Sequence, residues 1–225
     1  MSQIGSRAPF TKEQTFTNYN HEQGNAYVQG RPDYHPKLYQ YIIDSHISTD
    51  GQLDTLLDLG SGPGTATRAL GVNFAHAIGL DPSESMVATA RSIGGVTSIS
   101  ESIRFAVSTA EDLGTSLSNQ PIPNASVDLI TAANSAHWFN MFRFWETAAR
   151  ILKPGGSVIM WTNGKTAMHP SVPKSTAIYA ALDHLEETHL RSYMVRGNFM
   201  TRNRYIDLAV DPRCACFRFL SASIC

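Results

Sequence analysis

A glycine-rich loop is the first feature of this sequence whose residue types are suited to binding a small molecule. Residues 60–64 read Gly-Ser-Gly-Pro-Gly and follow a short apolar run at residues 55–59. A glycine loop between a strand and a helix lets the backbone approach a nucleotide closely, although the same residues also make a plain tight turn. Gly60, Ser61 and Gly62 are therefore candidate binding residues whose ligand must be inferred from their neighbours.

Carboxylates lie on both sides of this loop in the sequence. Asp58 stands just before it, Asp81 lies further on, and Glu111 and Asp112 follow a later apolar run. Pro63 removes one backbone N–H that a phosphate would use. Acids beside a diphosphate cost about 1 to 4 kcal/mol each, which disfavours a nicotinamide-dependent oxidoreductase. The same acids suit S-adenosylmethionine, which carries a cationic amine, a cationic sulfonium and ribose hydroxyls but no phosphate.

Asp81 has two candidate roles. It lies 23 residues after Asp58, close to the spacing at which an acid meets the ribose hydroxyls in βαβ sites. It also stands where it can be the N-cap of a helix, with Pro82 at the first helical position and Glu84 at the third. Both interpretations place it at the end of a strand.

Short apolar runs alternate with helical patterns through most of the chain. Strands are predicted at residues 55–59, 76–80, 103–107, 127–131 and 157–161, and helices at residues 38–43, 65–70, 142–152 and 173–190 and directly after Asp81. A Lys-Pro-Gly-Gly turn of type II is predicted at residues 153–156. This alternation predicts an α/β fold with a doubly wound, mostly parallel sheet and a ligand at the carboxyl ends of its strands.

Four segments, in order, resemble the motifs of class I S-adenosylmethionine-dependent methyltransferases. They are residues 56–65 (LLDLGSGPGT), Asp81 with Pro82, Ser83 and Met86, residues 108–113 (STAEDL) and residues 152–156 (LKPGG). The resemblance covers about residues 55 to 161 and implies a Rossmann-like sheet of order 3-2-1-4-5 and S-adenosyl-L-methionine as cofactor. The cofactor-binding residues that it implies are Asp58, Gly60, Ser61, Gly62, Asp81, Pro82, Met86, Thr109, Ala110, Glu111 and Asn134. Thr109 stands where the family often has an acid or an amide, so an adenine contact is expected from the neighbouring backbone instead.

Two further features resemble the trans-aconitate methyltransferase group of fungi. One is Tyr27 followed by residues 31–34 (RPDY), and the other is residues 134–139 (NSAHWF) after the fourth strand. The resemblance implies methyl transfer to a carboxylate, phenol or alcohol oxygen of a polycarboxylic acid or secondary metabolite. His137 is the candidate catalytic base or substrate hydrogen-bonding group, and Arg31, Tyr27 and Trp138 are candidate substrate-binding residues. A carboxylate needs no base, whereas a base would assist a phenol or alcohol by about 10² to 10⁴.

The 225 residues suit one domain, because a single core extends to about 250 residues. Within it we expect an N-terminal helical and aromatic cap segment at 1–50, a cofactor-binding α/β core at 51–165 and a substrate-side helical segment with an atypical tail at 166–225. The family completes its sheet with two strands, but residues 217–224 provide at most one. The chain therefore looks shortened, and the alternative function is a truncated, non-catalytic protein that acts by cofactor or partner binding. An exposed edge on strand five would then favour a dimer.

Charge and composition exclude several other functions. The chain has 18 Lys and Arg against 19 Asp and Glu, for a net charge of −1, which argues against binding to nucleic acid or to an anionic membrane. It has neither an apolar run of about 20 residues nor an apolar leader at its start, so we expect a cytoplasmic protein. Its three cysteines form no CxxC pair and its eight histidines are scattered, so no metal site is expected.

Overall fold

The computed structural model describes residue 30, residues 33–115, 117, 119–165 and 168–209, and the backbone of residues 217–220. Six strands in these ranges form one sheet in which every pair of neighbours is parallel. They are β1 (Thr55–Leu59), β2 (His76–Asp81), β3 (Arg104–Val107), β4 (Val127–Ala133), β5 (Leu152–Trp161) and β6 (Phe217–Leu220). Their order is β3-β2-β1-β4-β5-β6, which confirms the predicted 3-2-1-4-5 arrangement and adds a sixth strand beside β5.

Six α-helices accompany the sheet, and the first four pack on it. They are α1 (Pro36–Ile47), α2 (Thr65–Gly71), α3 (Glu84–Ile93), α4 (Met141–Ile151), α5 (Ser175–Leu185) and α6 (Arg196–Arg202). Apolar residues of α1, α2 and α3 form one buried cluster with the sheet, and those of α4 form a second. The central strand β4 is buried through its first six residues, as expected for a parallel strand covered on both faces.

The connection from β2 to α3 differs from the prediction. Asp81 is the last residue of β2, and α3 begins at Glu84 with Ser83 as its N-cap, whose Oγ accepts the Met86 N–H at 3.4 Å. The predicted helix start, with Asp81 as N-cap and Pro82 at the first helical position, is therefore wrong. The physical reason is that Asp81 Oδ1 accepts the Ser83 N–H at 2.8 Å, which turns the chain before the helix begins.

β5 starts earlier than the sequence indicates. Leu152 already pairs with β4, and regular pairing resumes at Ser157, so residues 153–156 form an irregularity inside the strand. Gly155 has a φ of +83°, which fits the third residue of the predicted type II turn. The turn is accommodated within the strand because a bulge absorbs extra residues without ending the pairing.

β6 pairs with the end of β5, over Val158 to Trp161. A single further strand agrees with the prediction for this region. The prediction that strand five would be an exposed edge is wrong over these residues, because β6 supplies their hydrogen-bonding partner. The dimer inferred from that edge therefore has no support from β5.

The helical region predicted at residues 173–190 is helical in the structure, but it is not one continuous α-helix. The region predicted at 173–190 is divided into α5 and a π-helical turn, Glu186–Leu190, before a short 3₁₀ turn at Arg191–Tyr193. Among the helices of the described ranges, none is long and apolar enough to cross a bilayer.

Candidate functional site

The glycine loop lies at the carboxyl end of β1, next to the carboxyl end of β2. Ser61 donates its N–H to the Leu80 carbonyl at 3.0 Å, which ties the loop to β2. Gly60 has a φ of +59°, and a Cβ there would lie 2.5 Å from the Ser135 Cβ, so a side chain does not fit. Gly62 also has a positive φ, and no described atom lies within 4 Å of the place its Cβ would occupy. The loop therefore presents bare backbone to open space.

Asp81 connects this loop to β2. Its Oδ2 accepts the Gly62 N–H and its Oδ1 accepts the Ser83 N–H, both at 2.8 Å. The residue is only 7% exposed, so these bonds hold the carboxylate in one orientation. Since a carboxylate can accept about four hydrogen bonds, the same group has the chemistry to receive the hydroxyls of a ribose.

Asp58 lies behind the loop and is fully buried. Its Oδ2 accepts the Thr67 hydroxyl at 2.6 Å and its Oδ1 accepts the Thr131 hydroxyl at 2.7 Å. Burial raises the pKa of this carboxyl to about 6, although the two hydroxyls act in the opposite direction. The predicted role of Asp58 in cofactor binding stays a prediction. In the structure, Asp58 joins α2 to β4 on the two sides of the loop.

The turn after β3 uses its polar side chains within the protein. The Thr109 hydroxyl oxygen accepts the Asp112 N–H at 3.2 Å, and Glu111 Oε1 accepts the Asn140 N–H at 2.6 Å. Ala110 is buried between them. The expectation that an adenine contact in this turn would come from backbone atoms stays a prediction.

Asn134 follows β4 with a φ of +53° and joins this strand to β5. Its N–H donates to the Trp161 carbonyl at 2.8 Å, and its Oδ1 accepts the Thr162 hydroxyl at 2.7 Å. Ser135 donates its hydroxyl to the Leu59 carbonyl at 2.8 Å, which joins β4 to β1. The carboxyl ends of three neighbouring strands are thus held together at the loop.

His137 lies just beyond Asn134, in the 3₁₀ turn Ala136–Trp138. Its ring is half-buried, and its centroid lies 4.6 Å from that of Trp138. Its Nδ1 lies 2.9 Å from the Tyr205 hydroxyl. Gly197 of α6 packs against His137 and Trp138, because a Cβ at this position would lie only 2.8 Å from His137 Cδ2 and 3.1 Å from Trp138 Cζ3. The C-terminal segment therefore reaches the candidate catalytic residue.

The remaining predicted residues contribute less to this site. Met86 is 2% exposed and belongs to the core, whereas Pro82 is exposed. Tyr27 and Arg31 lie outside the described residues, so their predicted roles in substrate binding stay predictions.

Several side chains that shape the site were not found from the sequence. Thr67 had a local signal, since it lies in the first turn of α2, where a hydroxyl can face the acid at the end of β1. Thr131 and Thr162 lie at the ends of strands, but nothing local marks their partners. Tyr205 had no local signal, because it lies 68 positions after His137 in the sequence.

Two buried polar atoms at this end of the sheet have no hydrogen-bond partner among the described residues. They are Ser61 Oγ in the loop and Trp161 Nε1 at the end of β5. An unsatisfied buried group costs about 1–3 kcal/mol, which a bound polar ligand would relieve. Together with the Asp81 carboxylate, which repels a diphosphate, these atoms fit S-adenosylmethionine. In the part of the chain that the structure describes, no group of three His, Cys, Asp or Glu side chains is arranged to hold a metal ion.

Known proteins resemble this chain in sequence. Residues 57–160 match the Methyltransferase domain family. A protein of Dictyostelium discoideum named as a methyltransferase is 37% identical over 139 residues, which are 62% of this chain and 46% of that protein. The Saccharomyces cerevisiae protein CRG1, named as an S-adenosylmethionine-dependent methyltransferase, is 31% identical over 147 residues, which are 65% of this chain and 47% of that protein. The chain thus spans slightly less than half the length of either relative.

A solved structure is also similar to this chain. It is that of a protein from Anaeromyxobacter dehalogenans named as a type II methyltransferase, with a TM-score of 0.60 and 26% identity over 80% of this chain and 67% of that chain. Sheet order, loop geometry and sequence similarity all concern the same residues. Residues 57–160 of this chain are therefore similar in sequence to a methyltransferase domain, and the sheet has the Rossmann-like arrangement of a solved methyltransferase structure.

Proposed function

We propose that this chain transfers a methyl group from S-adenosylmethionine to an oxygen of a small molecule. The observation that carries the proposal is the position of Asp81, whose carboxylate is held by two N–H groups beside the bare backbone of Gly62. An anionic group at this place favours a cationic, ribose-bearing ligand over a diphosphate.

The chain's own residues then have separate tasks. Asp81 accepts hydrogen bonds from the ribose hydroxyls. The loop backbone and the Ser61 hydroxyl contact the ligand, and Asn134 links β4 to β5 at the base of the site. S-adenosylmethionine, when bound, supplies a methyl group that its sulfonium already makes electrophilic. What remains for the protein is to orient the acceptor and to exclude water.

The acceptor side of the site is assigned to the turn that carries His137 and Trp138. The half-buried imidazole is a polar group next to an aromatic ring, which suits a small organic substrate. A polycarboxylic acid, as in the trans-aconitate methyltransferase group, is the substrate class that the segment at residues 134–139 suggests. Phenols and alcohols of secondary metabolism are the other class.

Thermal unfolding in the presence of ligands tests the cofactor assignment. A ligand present at 100 times its Kd stabilises a protein by about 2.7 kcal/mol, which is a shift of a few degrees for a chain of this size. S-adenosylhomocysteine should raise the midpoint and NADH should not. Stabilisation by NADH alone would overturn the proposal.

A pair of matched variants locates the binding site. Asp81→Asn removes the charge but keeps one acceptor oxygen, and should weaken S-adenosylhomocysteine binding by about tenfold, or 1.4 kcal/mol. Asp54→Asn removes a carboxylate just before β1, at the opposite end of that strand, and should leave the affinity unchanged. Equal affinities for the two variants would contradict the assigned site.

The substrate requires a transfer assay. Radiolabelled S-adenosylmethionine with a panel of polycarboxylic acids and phenols should label at least one class. Cofactor binding without transfer to any of them would favour the non-catalytic alternative.

A further inference from the structure

Arg68 is the fourth residue of α2, and its side chain turns back towards the glycine loop that precedes the helix. Its Nη1 donates to the Pro63 carbonyl oxygen at 2.9 Å, and the Gly94 carbonyl oxygen, at the C-terminal end of α3, lies 3.5 Å from the same atom. The side chain is half-buried. One guanidinium group thus contacts both the loop and the end of α3, and the proposed function assigns it no task.

Pro63 is the loop residue that depends most on a bond of this kind. Ser61, Gly62 and Gly64 each donate their own N–H to an oxygen of the protein, at 3.0, 2.8 and 2.9 Å. Proline has no N–H, so its carbonyl is its only backbone group that can form a hydrogen bond. Arg68 is the donor to that carbonyl.

Close packing holds the Arg68 side chain where this bond needs it. A Cβ at Gly64 would lie 2.8 Å from Arg68 Nη1, and a Cβ at Gly95 would lie 2.8 Å from Arg68 Cγ. Both distances are well below the roughly 3.5–4.0 Å of an ordinary contact between non-bonded heavy atoms. The guanidinium therefore lies against the loop and the aliphatic stem against the turn after α3, and each relies on a glycine for its space.

Restraints on the loop matter because its glycines leave the backbone free to move. Gly60, Gly62 and Gly64 have more conformational freedom than other residues would have in their places. A ligand that fits one loop conformation binds with an apparent affinity reduced in proportion to the fraction of molecules in that conformation. Asp81 restrains the loop at Gly62, and Arg68 restrains it at the next residue, so both raise that fraction.

We propose that Arg68 is a positioning residue that holds the glycine loop in its ligand-binding conformation through the Pro63 carbonyl. The identity of the ligand rests on the proposed function. Because Arg68 acts through the loop, its removal should raise the KM for S-adenosylmethionine and leave kcat unchanged at saturating cofactor. A residue that contributed only to the stability of the fold would leave that KM unchanged.

Calorimetric titration with S-adenosylhomocysteine tests the proposal directly. Arg68→Met removes the donor but keeps an unbranched stem, and should weaken binding about fivefold, as expected for the loss of one hydrogen bond. S-adenosylhomocysteine has no net charge at neutral pH, so the lost guanidinium charge has little direct effect on its affinity. Arg104→Met is the matched control and should leave the affinity unchanged. Arg104 is also half-buried and donates to a carbonyl oxygen, that of Gln120 at 2.6 Å, but it begins β3 at the opposite end of the sheet.

Hydrogen exchange of the Gly62 and Gly64 amides, followed by NMR, is a second measurement that needs no ligand. These amides should be protected in the wild type and should exchange about fivefold faster in Arg68→Met. Equal affinities of the wild type and Arg68→Met, equal exchange rates in the two, or unprotected amides in the wild type would each overturn the proposal. If Arg68→Met does not fold, the wild-type exchange decides alone. A wild type that fails to bind S-adenosylhomocysteine contradicts the proposed function, and the exchange rates still test the role of Arg68.

Discussion

The proposed cofactor side and the proposed acceptor side of this site are held in place by different contacts. On the cofactor side, Asp58 and Asp81 are buried and each accepts two hydrogen bonds from neighbouring elements. On the proposed acceptor side, α5 has no buried residue, and within residues 186–209 the buried residues are Gly197, Tyr205 and Leu208. The comparison contrasts a frame held by buried hydrogen bonds, which consists of β1, β2, α2 and β4, with a cover, residues 175–209, that is attached through few buried residues.

The largest expected effect comes from removing the central carboxyl of the cofactor side. Asp58→Ala leaves the Thr67 and Thr131 hydroxyls buried without their acceptor, and should lower the free energy of unfolding by about 3 kcal/mol at pH 5. Urea unfolding measures it. Asp54→Ala, a half-exposed carboxylate paired with Lys153, is the control and should cost less than about 1 kcal/mol. Equal losses would show that the Asp58 network does not hold the frame.

The pH dependence of stability isolates the charge of the same group. Because burial raises the pKa of Asp58 to about 6, the folded protein holds a proton that the unfolded chain, with a pKa of 3.8, has already lost. Stability relative to Asp58→Asn should therefore fall by about 2 kcal/mol as the pH rises from 4 to 7, and then level off. Unfolding midpoints of both proteins across this range measure it. A difference that rises with pH would contradict the assigned environment.

An intermediate effect is expected where the cover meets the frame. Gly197→Ala would place a Cβ 2.8 Å from His137 Cδ2 and 3.1 Å from Trp138 Cζ3, so the rings or α6 must move, at about 1.5 kcal/mol. Affinity for S-adenosylhomocysteine should not change, because the bonds around Asp81 are not involved. Calorimetric titration and thermal unfolding measure the two quantities.

Gly30→Ala is a suitable control for that variant, since among the described atoms nothing lies within 4 Å of the new Cβ. A loss of cofactor affinity in Gly197→Ala would show that the two sides are coupled, and the comparison would then have to be abandoned.

The smallest effect is expected on the outer face of α5. Leu182 is 38% exposed, and Leu182→Gln should change the free energy of unfolding by less than about 0.5 kcal/mol. Chemical denaturation measures it. A loss above about 1 kcal/mol would indicate that α5 is packed against something in solution.

The predicted fold was confirmed, whereas several contacts around the glycine loop could not be predicted from the sequence, and particular residues show why. β1 ends and α2 begins at the predicted residues because the glycines between Gly60 and Gly64 form a turn that can be recognised from the local sequence. The N-cap of α3 was assigned to Asp81 because Pro82 and Glu84 follow it at the first and third helical positions, whereas in the structure Asp81 accepts the Ser83 N–H and Ser83 caps the helix. The place of Asp58 behind the loop likewise depends on Thr67 and Thr131, which come from a helix and a different strand.

Short-range patterns in the chain were enough to predict the parallel sheet, its strand order through the family resemblance, the glycine loop and the acidic character of its surroundings. Apolar alternation and glycine punctuation are properties of neighbouring residues, so they can be recognised before folding. Only the tertiary structure decided which donor meets which acceptor: that Asp58 supports the loop, that Asp81 holds Gly62, and that Tyr205 reaches His137. Those pairings join residues up to 73 positions apart, and the packing of α2, β4 and the C-terminal segment sets their distances.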